Sequence, residues 1–329
     1  MIKLYRIRTF GDKLSDTFDF IGENFRTMLK YITYLILPVA LVQTFCMNNF
    51  MTGYMESITM MTTSSGSPDI ARMLPWLTSM GSYLLVQYVA IMLLYALVYT
   101  MMQLYEQRPE RLRGVTFAEL RPGVIKKCVR ELVLLITSVL LGVVLVLIVA
   151  LMMAISPILI LPAILLVLIV LPLIVLVHPI YLFEDTGIVS AYAKSVRLGW
   201  KTWAGVVGVI IVLYIISSIL SGLVSTPWYI MVMVKNVFTA QGDTAGFVSS
   251  FGYTTIQYLL GVVSSFCGSC VMALMAIGCA YQYGHACDKV DGVGVDQDIE
   301  NFETLNVLLV THHLSLITYH SSRCKIPSS

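Results

Sequence analysis

Residues 132–183 read LVLLITSVLLGVVLVLIVALMMAISPILILPAILLVLIVLPLIVLVHPIYLF, without one Asp, Glu, Lys or Arg. A helix of about 20 apolar residues crosses the hydrocarbon layer of a bilayer. This run is too long for one crossing and predicts two. Ser156 and Pro157 mark the turn, because proline lacks an N–H and disfavours helix in the residue before it. Pro162, Pro172 and Pro179 follow, which predicts a bent second helix.

Working outward, four more apolar runs are long enough to span. The full set is roughly 28–48, 80–105, 131–154, 158–182, 203–224 and 257–282. The whole chain of 329 residues is 57% hydrophobic and 12% charged, with a mean hydropathy of +0.82. A soluble domain carries about 25% charged residues, so a water-soluble fold is excluded. The first 27 residues are polar and mixed in charge, which is unlike a cleavable signal peptide. A net charge of +2 gives no reason to expect a nucleic-acid partner.

The charges fix an orientation. Alternating six spans from a cytoplasmic start puts Lys3, Arg6, Arg8, Lys13, Arg26 and Lys30 on one side. Arg108, Arg111, Arg113, Arg121, Lys126, Lys127 and Arg130 join them, as do Lys194, Arg197, Lys201, Lys289, Arg323 and Lys325. Only Arg72 and Lys235 fall on the other, nineteen of the 21 basic residues against two. The positive-inside rule then expects both termini in the cytoplasm of a cell whose inner (plasma) membrane holds the chain.

Each outward helix follows an amphipathic segment. In the first, Leu14, Phe18, Ile21, Phe25 and Met28 recur at helical spacing. In the second, Thr116 and Glu119 resemble a capping box ahead of Leu120, Val124 and Cys128. In the third, Asp185 or Thr186 is placed to cap a helix with Ile188, Tyr192 and Trp203 on one side. Lys194, Arg197 and Lys201 lie on another side as candidate lipid-headgroup contacts, with Ser195 beside them. The expectation is an all-α polytopic protein of about six spans in three hairpin units, about 11–105, 114–182 and 184–283. They form one membrane domain, 1–283, followed by a poorly ordered cytoplasmic tail, 284–329. Between the last two spans, Pro227, Trp228 and the apolar run to Phe238 read as a surface or re-entrant helix.

Several short runs now bear comparison. Phe10 to Leu14, Asn24 with Phe25, Leu37 with Pro38, and Ala191 to Trp200 resemble a broad group of bacterial multi-span proteins. That group includes the membrane domain of glycerophosphoryl diester phosphodiesterases and the related DUF975-type families. The resemblance covers about 10–283 and implies a fold and a lipid setting. The enzymes so named keep catalysis in a separate soluble barrel, for which no span of this chain has room, so no catalytic residue carries over.

Candidate chemistry is sparse. The one histidine in the spans as drawn, His178, suggests a proton or metal site with Glu184 and Asp185, or an interfacial histidine. A coupled transporter is expected to place a carboxylate at mid-depth, and the centres of the runs lack one. Cys267 and Cys270 form a CxxC on one helix face. They read as a redox pair or, with Gly261, Ser264, Ser265, Gly268 and Ser269, as a close-packing face. The remaining cysteines, Cys46, Cys128, Cys279, Cys287 and Cys324, give no secreted disulfide framework. Gln43, Gln87 and Gln103 are suited to interhelical hydrogen bonds or to lining a path. His312, His313, His320 and Cys324 carry only a weak metal signal.

The sequence therefore points first to a non-catalytic, lipid-associated scaffold or partner subunit. Its expected partners are membrane lipids and another membrane protein, with no cofactor. The alternative is a transporter or lipid-handling permease, and a thiol-redox protein comes third. A polar cavity between the repeats separates the second reading from the first.

Overall fold

The computed structural model describes residues 2–63, 70–240 and 246–295, together with residue 299. The described residues are helical, and six helices are long and apolar enough to cross a membrane. α1 is Phe10–Thr63, α2 Ile70–Gln107 and α3 Phe117–Ile155. α4 is Ile160–Val175, α5 Val177–Phe183 and α6 Ile188–Lys201. α7 is Trp203–Ala240 and α8 Phe251–Asp291.

The turn at Ser156 stands where the proline predicts it. Ser156 is extended and a short 3-10 turn, Pro157–Leu159, leads into α4. The bend expected in the next span is a break at Leu176, between α4 and α5. Pro179 cannot donate to the carbonyl of Val175, and its ring crowds it.

The first two amphipathic segments run unbroken into their spans as the opening turns of α1 and α3. The third, α6, is a separate helix that stops at Thr202. Glu119 meets Thr116 as expected, accepting from its hydroxyl at 2.8 Å. Asp185 and Thr186 do not cap α6. Its cap position is the extended Gly187, because Asp185 is bound to Lys126 at 2.6 Å and the Thr186 carbonyl accepts from Arg130 at 2.8 Å.

The re-entrant reading of residues 227–238 is corrected. α7 continues through Pro227 to Ala240 as one helix. Trp228 is fully buried and donates to Asn48 Oδ1 at 3.3 Å. The hydroxyl of Thr226 bonds back to the Gly222 carbonyl at 2.7 Å, and the carbonyl that the proline leaves without its helix donor is that of Leu223.

α1, α2, α7 and α8 make the closest-packed bundle. Gly261 lets α8 approach α1 and α7: a Cβ there would sit 2.5 Å from Thr44 and 3.0 Å from the Trp228 ring nitrogen. The middle hairpin is different. α3 buries Leu120, Val124, Lys127, Glu131 and Leu134, and beyond Leu134 its side chains are almost all exposed.

The basic end is laced together. Arg8 is buried and holds Asp16 at 2.6 Å, the carbonyls of Leu4 and Lys3, and the face of Tyr281. The Arg8 N–H donates to His285 Nδ1 at 3.0 Å, and the Leu4 N–H donates to Glu106 at 2.5 Å. α8 thus continues past residue 283 with His285, Ala286 and Cys287 buried. Burial also pushes the phenol of Tyr5 up to about 12.

Candidate functional site

Four helices each turn one polar or small-residue face toward a common space. On α1 the face is Gln43 and Met47; on α2 it is Gln87, Ala90, Ile91 and Leu94. On α7 it is Ser221, Ser225 and Tyr229; on α8, Ser264, Ser265, Gly268 and Ser269. The spacings are those of residues stacked along one helix side. Together they enclose a cavity of about 240 Å³.

Its lining carries hydroxyls and amides but no charge. Gln43 donates to the Gln87 side-chain carbonyl. Ser225 and Ser264 share a hydrogen bond of 2.7 Å, and Thr44 and Ser265 one of 3.3 Å. The inventory does not close. Gln43 is buried and its Oε1 has no partner. Ser217, one turn along α7 from Ser221, keeps an unpartnered hydroxyl too. A buried polar atom without a partner is costly, about 1–3 kcal/mol, and a group bound in the cavity would supply one to Gln43.

The cavity lies away from the basic end. Toward that end Ile36 of α1, Leu97 of α2 and Ala276 of α8 are fully buried, about one to two turns beyond the lining residues. Gly268 has nothing near its missing Cβ, so it leaves cavity space rather than a helix contact. Gly261 acts as the expected close-packing residue, and Ser264 and Ser265 bond across to α7 and α1.

The other candidates fall elsewhere. Lys194 bonds Glu184 at 2.6 Å and Arg197 bonds Asp291 at 2.8 Å, while Lys201 is exposed. Ser195 is buried and donates to the Leu173 carbonyl at 2.7 Å. The structure does not gather these four into one open phosphate clamp. Asp185 is held below the usual carboxylate range by its bond to Lys126 and by the charges of Lys126 and Arg130. Cys267 and Cys270 are free, half-buried thiols, and Gln103 accepts from Lys127 at 2.7 Å.

His178 does not meet Glu184 or Asp185. Its Nε2 faces Glu131 Oε2 at 3.9 Å. Glu131, at the edge of an apolar run, and His285, three residues past the expected end of the last span, are the two residues that sequence reasoning passed over. The continuing spacing Gly278, Tyr281 and His285, all buried on α8, would have found it. Among the described residues no group of three His, Cys, Asp or Glu side chains is placed to hold a metal. The tail residues His312, His313, His320 and Cys324 lie outside the described residues.

Comparison of the chain with protein families, curated proteins and solved structures returned no match.

Proposed function

We propose that this multi-span membrane protein is a transporter or permease that binds a small, uncharged, hydrogen-bonding group in the cavity between α1, α2, α7 and α8. The observation that carries the reading is the unpartnered Oε1 of buried Gln43 in an amphipathic, charge-free cavity. A volume of about 240 Å³ is below the roughly 300 Å³ at which drug-sized ligand sites begin. It holds about eight waters at 30 Å³ each. That suits a polyol or the glycerol-ester region of a lipid. An ion is disfavoured, because no opposite charge would offset its desolvation.

In this reading the basic end faces the cytoplasm of an inner (plasma) membrane and the cavity opens toward the other side. The resemblance to the membrane domain of glycerophosphoryl diester phosphodiesterases implies a lipid setting for such a site. The test is stopped-flow light scattering of proteoliposomes given glycerol and then a hexose. Wild-type vesicles should equilibrate at least one faster than empty vesicles, and Gln43→Leu should slow it. Equal rates in all three for both solutes would refute solute passage.

A second reading, a scaffold or partner subunit, is favoured by α3. Beyond Leu134 it shows Ile136, Val139, Leu140, Val143, Leu147 and Leu151 without cover from its own chain. Lipid or a partner helix would cover them. Co-purification of a stoichiometric membrane partner that is lost on polar substitution of that face would support this second role.

A further inference from the structure

Glu131 is a carboxylate without the surroundings a carboxylate needs. Its side chain is 3% exposed, and Oε1 makes no hydrogen bond. Its other oxygen faces His178 Nε2 at 3.9 Å, and that imidazole is about one-third exposed. Tyr88 of α2 donates to the main-chain carbonyl of Glu131 at 2.6 Å. The ring of Tyr95, also on α2, stands edge-on to His178, with centroids 5.8 Å apart. These two tyrosines bracket the middle of the apolar span Leu74–Gln107, so the pair sits beside the centre of α2.

Nearby cations do not neutralise it. Lys127 of α3 is given to Gln103. Arg130 is spent on the carbonyls of Tyr181, Glu184 and Thr186 and on the face of Tyr181. The other titratable neighbours are Tyr88, Tyr95 and Tyr99 of α2 and Cys128 of α3, with Cys279 of α8 beyond Tyr95 and Tyr99. All are neutral in their protonated forms, and the buried Tyr99 hydroxyl is itself unpartnered.

With one proton between them, the two side chains are neutral overall, either as carboxyl and imidazole or as carboxylate and imidazolium. Without it they carry one negative charge in an apolar setting, which is strongly disfavoured. We infer that Glu131 and His178 form a proton-binding site, taking one proton from water and returning it. The pair is well placed to couple to the cavity, because α2 serves both. Gln87, Ile91 and Leu94 line the cavity, while Tyr88 and Tyr95 hold the pair. A change in charge at Glu131 therefore biases the helix that forms one cavity wall. The coupling, though not the proton site itself, rests on the transporter reading.

The experiment is pH-difference infrared spectroscopy of the full chain in liposomes, with a trapped pH indicator during glycerol and hexose addition. Wild type should show a protonated-carboxyl band that Glu131→Gln lacks. His178→Gln should lower its proton affinity about tenfold, one pH unit. Solute exchange should move protons in wild type and not in Glu131→Gln. Should Glu131→Gln fail to fold, Glu131→Asp must shift the band instead. Identical spectra for wild type and a folded Glu131→Gln, or an unshifted band in Glu131→Asp, would overturn the proposal. If the band behaves as expected but Gln43→Leu leaves solute exchange unchanged, the cavity reading fails and the proton site stands. Loss of exchange in Gln43→Leu with identical spectra would sink the proton site alone.

Discussion

Gln43 gives its side-chain N–H to Gln87 across the α1–α2 contact and keeps its own carbonyl oxygen without a partner beside the cavity. One bond therefore both joins two helices and leaves a free acceptor where a ligand would sit. Gln87→Leu should destabilise the protein by about 1 kcal/mol, in the range of interhelical hydrogen bonds in membranes. The double change Gln43→Leu with Gln87→Leu should recover most of that, since no polar group is left unpaired. Thermal unfolding in mild detergent would check the ordering of single and double variants.

Gly284 and Gly278 make contrasting close approaches. A Cβ on Gly284 would lie 2.1 Å from the Leu4 carbonyl oxygen, a backbone atom. A Cβ on Gly278 would lie 2.1 Å from the end of the Leu213 side chain. Gly284→Ala should displace the N-terminal segment at a cost of about 1–3 kcal/mol and speed tryptic cleavage at Arg6. Gly278→Ala should leave that cleavage unchanged and be relieved by Leu213→Ala.

Arg8 is the tie of the basic end. Its side chain is fully buried, and Asp16 is 15% exposed. Arg8→Met removes the charge and leaves Asp16 and the Leu4 and Lys3 carbonyls without their donor. A loss of about 3 kcal/mol is expected, the low end for breaking a buried pair. Asp16→Asn with Arg8→Met should recover part of it in the same unfolding assay.

Asp185 gives a pH signature with a definite sign. Its carboxyl is held below its ordinary value, so its contribution is present above the unfolded value of about 3.9 and is lost as pH falls through the lower folded value. The group is fully exposed, so the effect is small. Asp185→Asn should melt close to wild type near pH 7. Glu184→Gln, which loses Lys194 and weakens its bond from Tyr283, should melt earlier.

The spans were legible because a helix in lipid must be apolar along its whole length, and 132–183 declares that outright. The break near Ser156 was legible for the same reason that proline is rare inside helices. Pro227 misled because a long apolar helix can absorb one proline where a buried Trp228 packs the next position. The cavity was legible only in part: Gln43 and Gln87 read as helix glue or as path lining, and nothing in the sequence brought Ser225 and Ser264 to them until their four helices meet. Glu131 was hidden by the edge of its own apolar run. What surrounds it is set by Tyr88 and Tyr95 on α2, and single-sequence hydropathy carries nothing about which helix lies alongside.

The most direct test is the reactivity of the cavity wall. In a background with native cysteines replaced, Ser225→Cys in sealed vesicles of known orientation would be treated with a charged, membrane-impermeant thiosulfonate. The account predicts modification from the face opposite the basic end only, slowed by added glycerol or hexose. Modification from the basic face, or a rate that neither solute changes, would contradict it.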